Sequence, residues 1–482
     1  PEDQKEQAEE YYQALMEAAA EGDDDLIMKY LDGEELSKEE IKAGLQSAIA
    51  SGTVIPVLCG SAFLNIGTDL VMDFLAEFTP SPLDILPAKD AQKPFAGLVF
   101  KTITDSFLGK LSYVKVLQGN LKNDMPLYNS NLEKEEKIGA LSTSQGKTQL
   151  PIPEVSFGDI GVIAKLAATG TNQTLTVKDN AAQILEPIRF SVPTYTVAIA
   201  PQSKNDEDKL GNAINKTLEE DPTLLCVKDT ETHQTLLTGM GETHIDIALD
   251  RLERKFGVLV DVIERRLPYR EAIKGKATHV EGKHKKQSGG HGQFGHVFID
   301  IEPCDEEFVF EEKIFGGSVP KQYIPAVEKG LRESMQEGIL AGYPVSNIKV
   351  TLTDGSYHAV DSSEMAFKIA TNLAFKKACE QAKPILLEPI MNVEIQVPDQ
   401  YTGDIMGDMN SRRGRIMGME KEGKIQVIKA MVPLAEMLRY TIDLKSMTQG
   451  RGRFSMEFSG YEEAPANVTE KVIEESKIEH NK

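Results

Sequence analysis

Lys283-His-Lys-Lys-Gln-Ser-Gly-Gly-His-Gly-Gln-Phe-Gly-His296 is the stretch from which the rest of the chain can be read. It holds Gly289, Gly290, Gly292 and Gly295, almost nothing that packs into a core, and runs straight into the alternating Val297-Phe-Ile-Asp-Ile301. That pattern predicts a polar loop that leaves one strand and enters another, with its tip in solvent. Gly290, Gly292 and Gly295 spell G-x-G-x-x-G, but a dinucleotide fingerprint needs a helix where this sequence starts a strand. With Val297 the match extends to a protein-kinase glycine loop, and the absence of H-R-D and D-F-G from the sequence excludes a kinase. His279, His284, His291 and His296 have no cysteine among them and sit between glycines that would not hold a tetrahedral geometry, so no metal site is expected. Lys274, Lys276, Lys283, Lys285 and Lys286 outnumber the single acid Glu281, which fits phosphate contact and equally fits an ordinary solvated loop.

The chain has 482 residues, enough for about three to five domains, and carries a net charge of −22. An acidic surface repels phosphate at long range, so contact with nucleic acid must be local. Basic clusters at 283–286, at Ser411-Arg-Arg-Gly-Arg415 and at Arg451-Gly-Arg453 are the available places. Four scattered cysteines, Cys59, Cys226, Cys304 and Cys379, form no C-x-x-C and predict a reducing, cytoplasmic setting. No apolar run reaches the length of a bilayer span, and residues 1–22 are acidic and amphipathic, unlike a signal peptide.

Upstream of the loop, residues 1–50 predict acidic helices, with Ser37-Lys-Glu-Glu40 as a capping box. Val54-Ile-Pro-Val-Leu58 predicts a buried strand. A helix over 67–78 follows, with Leu70, Val71, Phe74 and Leu75 on one face, so this region reads as the last unit of an α/β sheet. Between 93 and 189, short alternating runs punctuated by glycine predict a small β-barrel. Gly146-Lys-Thr148 is no P-loop, because Gly139 is wrongly spaced and no helix follows. Residues 192–266 predict strand, helix, strand, strand, helix, strand, the ferredoxin-like order, and the same order returns at 389–461. His244 in the second helix of the first copy lacks H-E-x-x-H spacing and reads as structural or as a surface residue rather than a metal ligand. Between the copies lie the opening loop and two helices. The second of these is expected to be capped by Asp361 with Glu364 and to bury Met365, Ile369 and Leu373 with Ala366, Ala370 and Ala374. Asp354-Gly-Ser-Tyr-His-Ala-Val360 leads into it. Tyr357 beside His358 could stack on a base or hydrogen-bond a sugar there, or the stretch is a turn whose histidine simply caps the helix.

Several of these segments closely resemble one family. Lys286 to His296, Tyr323-Ile-Pro-Ala-Val327, Leu340-Ala-Gly-Tyr-Pro-Val345, Gly355 to Glu364, Leu387-Glu-Pro-Ile390 and Arg412-Arg-Gly414 are similar to elongation factor G, the ribosomal translocase, over essentially the whole chain. The resemblance implies a multidomain α+β protein: the end of an α/β GTPase domain with part of its insert (1–80), a translation-factor β-barrel (93–189), and a ferredoxin-like domain (192–266). It further implies a ribosomal-protein-S5-like α+β tip domain (267–385 with 465–482) and a second ferredoxin-like domain (386–462).

Function follows from the resemblance in the same conditional sense. Gly60, Ser61 and Ala62 look like the last guanine-contacting motif of the GTPase domain. The P-loop, switch segments, magnesium ligands and N-K-x-D motif have no counterpart in this sequence, so GTP and magnesium are expected only of a full-length parent and this chain is not expected to hydrolyse GTP alone. The implied partners are both ribosomal subunits, with tRNA and mRNA at the decoding region, met by a monomer. The RNA-facing tip maps to Lys283, Lys285, Lys286, Ser288, Gly289, Gly290, His291, Gly292, Gln293, Phe294 and Gly295, together with Tyr357 and His358. Arg412, Arg413 and Arg415 map to contacts of the last domain with RNA. His291 stands where arginine is usual in the family and Phe294 where tyrosine is usual. Besides a translocase, the sequence therefore leaves open a paralogue acting on the ribosome in recycling, protection or stress. A scaffold of ferredoxin-like domains unconnected with the ribosome also stays open.

Overall fold

The computed structural model describes residues 4–105, 107–287 and 292–480. It divides into two units, residues 1–189 and 190–482.

The first unit begins with α1 (Lys5–Ala20), α2 (Asp24–Leu31) and α3 (Lys38–Ser51) around Met16, Ala19, Ala20, Leu36 and Ile41. Ser37 starts α3 with the expected capping box: its hydroxyl accepts the Glu40 amide at 3.3 Å, and the Glu40 carboxylate accepts the Ser37 amide at 2.8 Å. The expected buried strand at 54–58 does not form. Ile55 and Val57 are 80% and 86% exposed, because among the described residues no strand stands beside them to complete a ladder. The helix after it, α4 (Thr68–Phe78), does form, yet Leu70 and Leu75 on its apolar face stay exposed. A further turn, α5 (Pro82–Ile85), leads into the sheet.

That sheet uses β1 (Ala96–Asp105), β2 (Gly109–Gln118), β3 (Leu121–Lys122), β4 (Pro126–Asn129), β5 (Lys134–Lys137), β6 (Ala140–Gln145), β7 (Thr148–Pro151), β8 (Glu154–Val155), β9 (Ile160–Ala164) and β10 (Gln173–Thr176). Eight of them run β5-β4-β10-β1-β2-β9-β6-β7, all antiparallel, with β3 and β8 paired separately. They enclose one core of Phe95, Val99, Val114, Leu121, Leu141, Ile163 and Leu175. The expected barrel is thus a coiled antiparallel sheet, since no ladder joins β5 to β7 among the described residues.

In the second unit, β11 (Tyr195–Pro201), α6 (Lys204–Glu220), β12 (Leu225–Lys228), β13 (Thr235–Gly239), α7 (Glu242–Phe256) and β14 (Val260–Ile263) make an antiparallel sheet of order β12-β13-β11-β14. This is the ferredoxin-like arrangement, with both helices on one face. His244 is structural here: its Nδ1 accepts the Met240 amide at 3.0 Å and its Nε2 meets Asp221 at 3.0 Å.

Strand β15 (Arg270–Ile273) enters the next domain, built from β16 (Ala277–Gln287), β17 (Gly292–Pro303), β18 (Phe308–Glu312), α8 (Ile324–Glu337), β19 (Ile348–Ser356) and α9 (Glu364–Gln381). Its sheet runs β16-β17-β19-β18, with β18 and β19 parallel. Both helices cover one face, over Val297, Ile299, Ile301, Val350 and Leu352. Helix α9 differs from expectation. It buries Ala366, Phe367, Ala370, Ala374, Phe375 and Ala378, while Met365 is 61% exposed. The reason is close approach: a Cβ on Gly282 would lie 2.1 Å from the Ala370 carbonyl, and one on Gly295 would lie 2.3 Å from that of Ala366. A helix backbone laid this tightly on a sheet accepts alanine at the contact and expels methionine.

The last domain repeats the ferredoxin-like order through β20 (Pro384–Pro398), α10 (Thr402–Ser411), β21 (Arg415–Glu422), β22 (Ile425–Pro433), α11 (Leu434–Met437), α12 (Tyr440–Met447) and β23 (Arg453–Glu463), with strands ordered β23-β20-β22-β21. The single helix expected at 434–446 is two short ones. Helix α13 (Ala466–His480) then returns to the preceding domain, where the Ser476 hydroxyl donates to the Ala341 carbonyl at 2.6 Å.

One buried carboxylate yields a pH test. Glu136, 4% exposed, accepts the amides of Ala167, Ala168 and Thr169 at 3.0, 2.8 and 2.7 Å and the Thr169 hydroxyl at 2.8 Å. Desolvation pushes its pKa up, but these hydrogen bonds together hold it below the ordinary glutamate value. A depressed folded-state pKa contributes stability that is full above the unfolded value and lost as pH falls through the folded one. Glu136→Gln should therefore cost about 2 kcal/mol at pH 7. It should also flatten the loss of thermal stability between neutral and acidic pH, as followed by circular dichroism.

Candidate nucleic-acid interface

The stretch that opens the sequence reading is mostly the end of a hairpin. Lys283 pairs with His296, Lys285 with Phe294 and Gln287 with Gly292, so strand persists to 287 and resumes at 292. Alternation then sorts the basic side chains. Gly282, His284 and Lys286 fall on the α9 side, where His284 Nε2 meets Gln293 Oε1 at 2.9 Å. Lys283 and Lys285 fall on the opposite, open face. All three lysines are exposed, and none makes an ion pair among the described residues. Ser288, Gly289, Gly290 and His291 lie outside the described residues.

The second loop meets this hairpin. The Gly292 amide donates to Asp361 Oδ1 at 3.0 Å and the Phe294 amide to the Asp361 carbonyl at 2.8 Å. The Ser362 hydroxyl donates to the Phe294 carbonyl at 2.9 Å. Asp361 therefore does not cap α9, as its spacing predicts. Ser363 does, by accepting the Ala366 amide at 3.2 Å. Gly292 is what admits the carboxylate, since a Cβ there would stand 2.9 Å from it. His358 Nδ1 accepts the Asp361 amide at 3.2 Å, and the Ser362 hydroxyl accepts the His358 amide at 2.8 Å, so the histidine closes the turn while its ring stays 56% exposed. Tyr357 is 51% exposed beside it. Gln293, Phe294, Gly295, Tyr357 and His358 thus share one end of the domain. Asp361 and Ser362, which sequence reasoning did not assign to the site, join the two loops.

Arg412, Arg413 and Arg415 lie apart from this tip and are bound internally. Arg412 reaches Asp408 at 2.8 Å, Asp443 at 2.7 Å and the Glu436 carbonyl at 2.7 Å, and lies over the Tyr440 ring. Arg413 forks onto Glu388 at 2.7 and 2.9 Å and reaches Glu436 at 3.0 Å. Hydrogen bonding to Glu388 raises its pKa against the opposing effect of burial. Arg415, the most exposed, pairs with Glu462. Glu388, 3% exposed, is a buried acid next to proline, the one sequence signal that could have marked it. Gly60, Ser61 and Ala62 form a tight exposed turn in which Ser61 and Ile66 exchange backbone hydrogen bonds at 3.0 Å. No group of three or more metal-ligating side chains is assembled among the described residues.

The fold and this two-loop tip define a multidomain α+β factor in which two loops are joined at one polar end of a domain. Four family models match along the chain: elongation factor G domain 2 over 94–178, domain III over 190–264, domain IV over 266–383 and the elongation factor G C-terminus over 385–472. A crystal structure of a protein from Thermus thermophilus superposes with a TM-score of 0.72 at 36% sequence identity, covering 99% of this chain and 71% of that one. The chain belongs to the elongation factor G family and is a translation-elongation-factor-like, ribosome-associated protein. No described helix is long and apolar enough to cross a membrane.

Asp361→Ala removes the carboxylate that holds the Gly292 amide. Hydrogen exchange at Gly292 and Phe294 should speed up about tenfold or more while exchange in the β20 amides stays unchanged, as read by mass spectrometry.

Proposed function

We propose that this chain supplies the RNA-facing and coupling parts of a GTP-dependent ribosomal translocase, moving tRNA and mRNA during elongation in the cytoplasm. The observation that carries the proposal is the clamp by Asp361 and Ser362, which makes one polar tip of two loops. In this reading 93–189 is the second domain, 192–266 the third, 267–385 with 465–482 the fourth and 386–462 the fifth. The fourth domain enters the decoding region, and its tip fills space left by a moving tRNA and opposes return. Glycine at 292 and 295 and the exposed lysines suit close contact with an RNA backbone.

Nucleotide chemistry is not assigned to this chain. The Ser61 amide is already bonded to the Ile66 carbonyl, and no glycine loop of P-loop spacing occurs in the sequence. Arg412 and Arg413 are each held by two carboxylates and are partly buried, whereas Arg415 is exposed and pairs with Glu462 alone, which makes it the best placed of the three to meet RNA.

Phe294 favours a second reading, a paralogue acting in recycling, protection or stress. Its ring lies against His358 at 6.4 Å, at the centre of the tip, without the hydroxyl usual in the family.

Two measurements test the proposal. Replacing Lys283, Lys285 and Lys286 with alanine should weaken co-sedimentation with ribosomes and reduce the slope of log affinity against log salt by about 2 to 3; an unchanged slope would sink the phosphate role. With the chain joined to an intact GTPase domain, movement of mRNA by one codon in a single-round assay supports the translocase. Ribosome-stimulated GTP turnover without movement supports the paralogue.

A further inference from the structure

Five rings form a column over the open face of the β16-β17-β19-β18 sheet. His279 stacks on Phe298 with centroids 4.2 Å apart and planes within 8°. Phe298 then meets His296 at 4.9 Å, His296 meets Phe294 at 6.4 Å, and Phe294 meets His358 at 6.4 Å. The column runs from mid-sheet to the tip, on the side away from α8 and α9. Cross-strand register sets Lys283 opposite His296 and Lys285 opposite Phe294, on the same face of the sheet as these rings, and neither lysine has an ion-pair partner among the described residues. Acids share this face nearer mid-sheet. Glu281 is bonded to His296 at 2.9 Å, and Asp300 and Asp354 lie toward the His279 end.

His279 is the least expected member. It has φ 53°, a left-handed conformation that a side chain rarely adopts, at a bulge between Ala277 and Val280, and its amide donates to Asp300 Oδ1 at 2.6 Å. A bulge re-aims a side chain, and this one lays the imidazole flat on Phe298 while the residue stays exposed. Core packing gains little from an exposed ring, yet the backbone is strained to hold it there.

We propose that this face is a second nucleic-acid contact, a stacking platform for unpaired bases of single-stranded RNA whose phosphates pass Lys283 and Lys285. His279 and His358 are exposed, Phe294, His296 and Phe298 partly so, and only the His279–Phe298 pair is parallel. With lysines on the same face, the exposed imidazole stacked on Phe298 provides the two components of sequence-tolerant single-strand binding, base stacking and phosphate attraction. In a chain of net charge −22, lysines without acidic partners mark where an anion can approach. The inference rests on the reading that the adjoining tip faces RNA, and it extends that contact back along the sheet.

The test is fluorescence anisotropy of the whole chain with a labelled single-stranded RNA of about ten nucleotides, with the same sequence in a duplex as competitor. The single strand should bind tighter than the duplex, whose bases are not free to stack. His279→Asn tolerates the left-handed backbone and removes the ring; it should weaken single-strand binding about tenfold with no change in salt slope, whereas His279→Tyr should retain it. Lys283→Ala with Lys285→Ala should lower the slope. Undiminished binding by His279→Asn, or equal binding of duplex, overturns the platform. Ribosome co-sedimentation reports on the tip separately: its absence with single-strand binding intact would overturn the tip reading and leave the platform standing.

Discussion

Glu271 is the constraint on which the second unit depends. It is fully buried in β15, and its carboxylate accepts four amides of one loop: Ile339, Leu340 and Ala341, the latter two at 2.8 Å, and Tyr343 at 3.1 Å. Its own backbone bonds the other end of that loop, accepting the Ser346 amide at 2.8 Å and donating to the Pro344 carbonyl at 2.9 Å. A charge out of water is tolerated only where donors replace its hydration, and here the loop between α8 and β19 is shaped to supply them. Leaving four buried amides without an acceptor would cost about 1–3 kcal/mol for each that stays dry.

That loop is also where domains are joined. Helix α13 docks on it through Ser476, with Val472 packed beside Tyr269, Ala341 and Leu386. Strand β15 pairs with the first residues of β20, whose remaining length is the central strand of the last domain. The ferredoxin-like domain before β15 is held to the last one by Thr441, whose hydroxyl donates to the Thr194 carbonyl at 3.2 Å, and by Lys445 on the Met240 carbonyl at 2.7 Å. Arg270, beside Glu271, pairs with Glu231 and lies over the Tyr461 ring. The tip domain and the two ferredoxin-like domains are therefore joined by a shared strand and by polar contacts between domains.

The tip itself shows how an exposed element can be polar and still well placed. The Gly292 and Phe294 amides and the Phe294 carbonyl are bonded by Asp361 and Ser362, so the side chains beside them are presented from a fixed base. The internal pairing of Arg412 and Arg413 is the contrasting case: equally basic in sequence, they are spent on holding α10, β20 and α11 together.

Much was legible before the fold was known. Period-two and helical spacing marked both ferredoxin-like repeats, Ser37 marked its capping box, and the motifs around the glycine-rich hairpin marked the family, because these are local patterns set by backbone chemistry. Other features were not. Val54 to Leu58 has the composition of a buried strand, but a strand forms only beside a neighbour. Gly295 looked like loop flexibility and is instead the clearance for α9. Asp361 has the spacing of a cap and instead bonds a residue 69 positions away, and Glu271 gives no local sign of the loop it nests. The sequence by itself determined the elements, the repeat and the family. Which polar groups are spent inside and which remain exposed was decided only by tertiary structure, because a hydrogen bond or close approach between distant residues depends on distances that no local pattern encodes.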